Sequence, residues 1–211
     1  MTTAASPIPF KTKWWFDDHN REMWEKHLIE AANPPIESYL EIGVCEGHSM
    51  RWVLENLQPS RAIGVDMYVV KKRGERDDVL LHEANAQRNL KEWLTAGVLR
   101  LDRRSSWEYL TELNMHNCIE PDTERFDLVY VDGDHRCLPC ATDCFLAWPL
   151  VKMGGIMIMD DFDRRYQRGW PMSREGVLAF LNAAEKTYDI IWGEPFRRDV
   201  QHVAIRKIYE H

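Results

Sequence analysis

Two groups of residues in this chain have the types and spacing to do chemistry. The first lies in YLEIGVCEGHS, residues 39–49, where Gly43 and Gly47 break an apolar run and Glu41 and Glu46 bracket the break. Glycine accepts backbone conformations and close approaches that a Cβ forbids, so such a turn can hold a ligand against the main chain. A helix starting near Gly47 adds free N–H groups. Asp66 ends the next apolar run, about twenty residues on, where a carboxylate can take both hydroxyls of a ribose. The second group is Asp132, Asp134 and His135 after one apolar run, with Asp160 and Asp161 after another. Several carboxylates brought together call for a cation, and hard oxygen ligands suit Mg²⁺ or a similar divalent ion.

These residues need a frame that carries them to one edge. Met23, Trp24, His27, Leu28 and Ala31 recur at helical spacing, which predicts a helix over residues 16–32, capped by Asp17 or Asp18 and stopped by Asn33-Pro34-Pro35. Strand patterns follow at 39–44, 62–66, 98–101, 126–132 and 156–159. Helical ones interleave at 47–57, near 87–94, at 107–113 and at 139–151. Ser173, with Glu175 in the first turn, reads as the cap of a helix to about residue 186, and strands at 189–192 and 202–206 close the pattern. Interleaving implies a parallel sheet covered on both faces, and the strand–strand ending an antiparallel hairpin at one edge. The expected fold is α/β: a Rossmann-like, seven-stranded, mostly parallel sheet with helices on both faces and an antiparallel edge strand.

In such sheets ligands bind at the carboxyl ends of the strands, beside the switch in strand order. A dinucleotide and S-adenosylmethionine both fit a glycine turn with a distal aspartate. Dinucleotide sites use G-x-G-x-x-G, whereas this turn reads E-x-G-x-x-x-G. Carboxylates repel a pyrophosphate and favour the ammonium and sulfonium of S-adenosylmethionine.

At this point the chain resembles a family. YLEIGVCEGHS is similar to the first motif of the class I S-adenosylmethionine-dependent methyltransferases, and AIGVDMY to the second. FDLVYVDGDH and LVKMGGIMIMDDF resemble the fourth and fifth. The ordered set is similar to the small-molecule O-methyltransferases, including the macrocin-type and D-G-x-H groups. The resemblance implies an N-terminal arm and helix at 1–35 and a class I methyltransferase domain at 36–211. It implies a cofactor site at Glu41, Gly43, Gly47, Ser49, Asp66, Met67 and Asp132, with Glu41, Gly43 and Gly47 at the methionine end and Asp66 on the ribose. LRLDRRSSWEYL resembles the adenine-side segment, but Ser105 stands where an acid commonly precedes the serine, followed by Ser106. Trp107 reads either as a cover for the base or as core.

The same resemblance offers precedent for a metal on Asp132, Asp160 and Asp161. Methyl transfer to a hydroxyl also needs a base, for which Asp134 and His135 are the candidates: Asp134 if a metal is bound, His135 if none is. Cys137, Cys140 and Cys144 fall on one helix face, as small core residues do. Trp14, Trp15, Tyr166 and Trp170 are candidates for a substrate wall, and residues 162–172 for a lid.

The 211 residues suit one domain, and 45% hydrophobic with 29% charged residues is the composition of a chain that buries a core. A formal net charge of −7 argues against nucleic acid or anionic lipid as partner; local basic runs such as Lys71-Lys72-Arg73 read as solvated loops. No window suits a membrane span, the N-terminal stretch lacks the apolar core of a signal peptide, and five unevenly spaced cysteines argue for a reducing, cytoplasmic setting. The expected partner is a small-molecule hydroxyl acceptor; a homo-oligomer is left open. The rivals are a nicotinamide-dependent oxidoreductase, a non-catalytic cofactor-binding protein of the same fold, and a methyltransferase acting on RNA or protein.

Overall fold

The computed structural model describes residues 16, 20–68, 76–120, 124–167, 169–195 and 200–210, with the backbone alone over 76–81. The N-terminal arm, Trp14, Trp15, the caps Asp17 and Asp18 and the basic run 71–73 lie outside the described residues.

The strands are β1 (Ser38–Ile42), β2 (Arg61–Val65), β3 (Leu99–Asp102), β4 (Phe126–Val131), β5 (Val151–Met159), β6 (Tyr166–Gln167), β7 (Trp170–Pro171), β8 (Tyr188–Trp192) and β9 (Val203–Lys207). Seven form one sheet in the order β3-β2-β1-β4-β5-β9-β8, while β6 and β7 make a separate ribbon. The first five run parallel. β9 inserts antiparallel beside β5, and the edge strand β8 pairs antiparallel with β9. This is the Rossmann-like sheet with an antiparallel edge that the pattern implies.

Helix α1 runs through Arg21–Met23, a π-helical turn Trp24–Leu28 and Ile29–Ala31. Then come α2 (His48–Asn56), α3 (Arg76–Asn89), α4 (Lys91–Thr95), α5 (Ser106–Ile119), α6 (Cys137–Ala147) and α7 (Ser173–Ala183). Alternate strand residues point to opposite faces, and the core divides accordingly. Leu40, Ile42, Val129, Val131, Met157 and Met159 pack with α5, α6 and α7, where Cys140 and Cys144 are buried as the helix-face reading expects. Tyr39, Leu128, Tyr130, Ile156 and Ile158 pack with α1 and α2. Trp24 of α1 meets Tyr130 edge-on at 5.0 Å and Trp52 of α2 at 5.4 Å, which ties the first helix to the sheet.

The register positions the site. Ile42 lies opposite both Val65 and Val131, Val131 opposite Met159, and Val65 opposite Asp102. The parallel strands therefore end level, and the residues that follow them (Asp66, Gly43, Asp132 and Asp160) stand in a row at steps of ~4.8 Å. Strand order reverses between β1 and β4, so Gly43 and Asp132 flank the switch point.

Several boundaries differ from expectation for physical reasons. The helix expected near 87–94 is two helices, α3 and α4, and α3 begins at Arg76; HEANAQRN is polar and carries no apolar stripe to betray it. Helix α5 runs to Ile119 rather than 113. β5 starts at Val151 and passes through Gly154-Gly155, where the register with β4 shifts, as glycines inside a strand permit. Ser173 is not a cap: Met172 holds that position without a side-chain bond, and the Ser173 hydroxyl donates to the Asp161 carbonyl at 2.7 Å.

Candidate functional site

A cavity of about 710 Å³ opens at the level strand ends. Asp66, Met67, Tyr68, Arg104 and Ser106 line one half; Asp132, Asp134, His135, Asp160, Asp161 and Arg164 line the other, with Gly43 between.

In the first half, Asp66 anchors the turn. Its Oδ2 accepts the Cys45 N–H at 2.9 Å and its Oδ1 the Tyr68 N–H at 2.8 Å. A carboxylate has about four lone-pair sites, so two remain for hydroxyls of a ligand. Met67 is half exposed on the cavity wall. Ser105 does not line the cavity: it caps α5 in a reciprocal box with Glu108, which takes up its hydroxyl. Ser106, one residue on, lines the cavity and donates to Asp143 Oδ1 at 2.5 Å. Trp107 is 48% exposed and belongs neither to the core nor to the cavity lining.

The glycine turn packs closely on other parts of the chain, and Gly43 also lines the cavity. Gly43 has φ +90°, and a Cβ there would stand 1.9 Å from the Asp132 carbonyl oxygen; Gly47 has φ +81°, and its Cβ would meet Leu90 Cδ1 at 2.6 Å. The close approach is chain on chain. Glu41 and Glu46 both turn inward. Glu46 Oε1 accepts from Asn85 at 2.7 Å. Glu41 is wholly buried and accepts from Tyr39 at 2.6 Å and from Ser49 at 2.5 Å, so it holds the first turn of α2 instead of touching the cavity.

Burial, aided by the Asp66 charge, lifts Glu41 to about 8 against the donors Ser49 and Tyr39. A carboxyl raised above its unfolded value costs stability as pH climbs from roughly 4.5 to 8. Glu41→Gln stays neutral throughout, so its melting temperature should match the wild type near pH 5 and exceed it at pH 9. Thermal melts at both values check this, and a wild-type advantage at pH 9 would mean that the buried carboxylate is compensated.

In the second half, the side chains of Asp132, His135 and Asp161 offer ligand atoms within 4.8 Å of one another. Burial raises Asp132 well above the usual carboxylate range, with Asp160, Asp161 and Glu41 adding to the effect. Asp161 adopts a left-handed conformation, φ +52°. Its Oδ2 meets His135 Nδ1 at 2.6 Å and its Oδ1 meets Arg164 Nε at 2.7 Å. Burial alone would raise Asp161, yet these two partners hold it below its ordinary value. Asp160, the third expected metal ligand, is not one of the three that converge within 4.8 Å, though its charge acts on Asp132 and both carboxylates meet the Tyr130 hydroxyl. Its carboxylate accepts from Asn20 at 2.7 Å, from the Tyr130 hydroxyl and from the Asp161 N–H at 2.7 Å. Asp134 is gripped along both oxygens by Arg136. Nothing in the sequence marks Asn20; α1 delivers it from 140 positions away.

The aromatic wall does not form from the ribbon. Tyr166 pairs with Pro171 and Gln167 with Trp170, so Tyr166 and Trp170 point to opposite faces, both exposed. The segment contributes Asp163 and Arg164 to the cavity instead.

The comparison with known families now decides the class: residues 40–162 match the family described as Methyltransferase domain. The chain belongs to this family. The match runs from the glycine turn to just past Asp161 and sets aside the nicotinamide reading. The chain is 26% identical over 144 residues to the uncharacterized protein R132 of Acanthamoeba polyphaga mimivirus, spanning 64% of this chain and 58% of that protein. Among solved structures, the O-methyltransferase from Bacillus cereus in complex with SAH aligns with TM-score 0.61 and 15% identity over 97% of this chain and 84% of that one. TomG, an O-methyltransferase from Streptomyces achromogenes, aligns with TM-score 0.61 and 16% identity over 97% and 92%. NodS, an N-methyltransferase from Bradyrhizobium japonicum, aligns with TM-score 0.59 and 13% identity over 95% and 94%. At these identities the likeness is one of fold. Among the described residues, no helix is long and apolar enough to cross a membrane.

Proposed function

We propose that this methyltransferase moves a methyl group from S-adenosylmethionine to a hydroxyl of a small molecule, with a divalent cation at Asp132, His135 and Asp161. The observation that carries the reading is the convergence of those three side chains within 4.8 Å beside the half of the cavity that Asp66 organises. Like charges so close, with Asp132 already raised by burial, are a donor set that a cation would relieve. The imidazole nitrogen widens the choice from Mg²⁺ to Mn²⁺. When bound, S-adenosylmethionine would supply the methyl group and the cation a Lewis acid for the acceptor oxygen. Asp66 would hold the ribose, and the row of strand ends would set donor and acceptor in line. A second reading rests on the 2.6 Å contact of His135 Nδ1 with Asp161. Asp161 then fixes the tautomer and leaves Nε2 to take the acceptor's proton without a metal.

Calorimetric titration of S-adenosylhomocysteine, first in EDTA and then in excess Mg²⁺ or Mn²⁺, tests both. Binding in EDTA, with a separate cation heat lost in Asp132→Ala, is the expected result. Absence of a cation heat leaves the metal-free His135 reading. No binding of S-adenosylhomocysteine under either condition would overturn the assignment.

A further inference from the structure

We propose that Asp143 is a positioning residue that turns Ser106 Oγ into a hydrogen-bond acceptor and so makes the nucleobase end of the cavity specific for a 6-aminopurine. This rests on the S-adenosylmethionine reading and specifies how that site reads its base. From the glycine turn after β1, the cavity passes Asp66 after β2 and reaches Ser106 after β3. A nucleoside whose ribose lies on Asp66 therefore brings its base to Ser106, against the half-exposed Met67.

Asp143, on α6, is 1% exposed. Its Oδ1 takes the Ser106 proton at 2.5 Å, and its Oδ2 lies against the backbone at Gly133, where an added Cβ would stand 2.9 Å away. Burial lifts its carboxyl to about 6 despite the Ser106 hydrogen bond, with Asp134 adding to the rise, so at neutral pH it is ionised and accepts only. A serine hydroxyl has one proton and two lone pairs. With the proton committed to Asp143, Ser106 offers the cavity lone pairs alone. The Ser106 N–H, at the first position of α5, has no intrahelical acceptor and is a donor beside them. Acceptor beside donor complements the amino group and ring nitrogen of adenine; a 6-oxopurine presents the reverse pair and leaves both groups mismatched.

The test compares S-adenosylhomocysteine with S-inosylhomocysteine by calorimetry at pH 7.5. A mismatched hydrogen bond at a partly enclosed site is worth roughly ten- to a hundredfold in affinity, and the wild type should prefer the adenosyl compound by that factor. In Asp143→Ala the hydroxyl is free to donate or accept, and the preference should fall several-fold, to what the Ser106 N–H alone sustains. Ser106→Ala removes the hydroxyl and should lower the preference by a similar factor, which keeps the test open if Asp143→Ala does not fold. Equal weakening of both ligands in Asp143→Ala, with the ratio intact, would show a merely structural role and overturn the proposal. So would a wild type that binds the two alike. If the wild type binds neither compound, the S-adenosylmethionine reading falls and this inference with it.

Discussion

His135→Ala is expected to lower turnover by roughly a hundredfold or more while leaving S-adenosylhomocysteine affinity within about threefold of wild type. Both readings of the site converge on this residue. As a ligand, its nitrogen joins Asp132 and Asp161; as a base, its Nδ1 is already engaged by Asp161 at 2.6 Å. Cofactor binding should survive because His135 lies in the opposite half of the cavity from Asp66 and Ser106. Asp134 is the control. Arg136 lies along both of its oxygens, so Asp134 can take a proton only after that pair opens, and Asp134→Ala should cost less than about tenfold. Single-turnover rates beside calorimetry separate chemistry from binding. If Asp134→Ala proved the more damaging variant, the base would pass to Asp134. If neither lowered turnover, the acceptor would be activated elsewhere. Loss of activity in EDTA, with His135→Ala partly restored by excess Mn²⁺, would mark the imidazole as a ligand.

The frame of this site is written in local patterns. AIGV and FDLVYV are short apolar runs with acids at their ends, and once such strands lie parallel and level, Asp66, Asp132 and Asp160 must stand in one row. What a residue does within the row depends on contacts that residue type does not encode. Glu41 and Glu46 are the residue types expected beside a cationic ligand, yet Ser49 and Asn85 turn them inward. Ser105 and Ser106 are neighbours of identical chemistry, and their roles part because helix α5 begins between them. Asp160 and Asp161 are likewise adjacent; the left-handed backbone at Asp161 sends its carboxylate toward His135, while Asn20 and Tyr130 take Asp160. Asn20 comes from a helix whose own periodicity reports only that Trp24 and Leu28 face the core. Glu46, Ser106 and Asp160 take their directions from Asn85, Asp143 and Asn20, partners distant in the chain.

Gly43→Ala is expected to destabilise the protein by at least about 3 kcal/mol. Two costs add. A left-handed conformation, φ +90° here, is one that L side chains rarely adopt. The new methyl would also stand 1.9 Å from the Asp132 carbonyl oxygen and 3.1 Å from the Gly133 nitrogen, backbone atoms that cannot swing aside. Relief requires β1 and β4 to part at the switch point, where the Asp132 N–H donates to the Ile42 carbonyl at 2.9 Å. For a chain of this size a loss of about 3 kcal/mol lowers the melting temperature by roughly 6–12 °C. Gly97 is the matched comparison: its φ is +74°, but a Cβ there meets nothing within 4 Å. Gly97→Ala therefore bears the conformational cost without the collision, and the difference between the two melts isolates the β1–β4 contact. Equal melts would mean that the strand ends yield easily. The close approach of Asp132 would then not be what requires a glycine at this position.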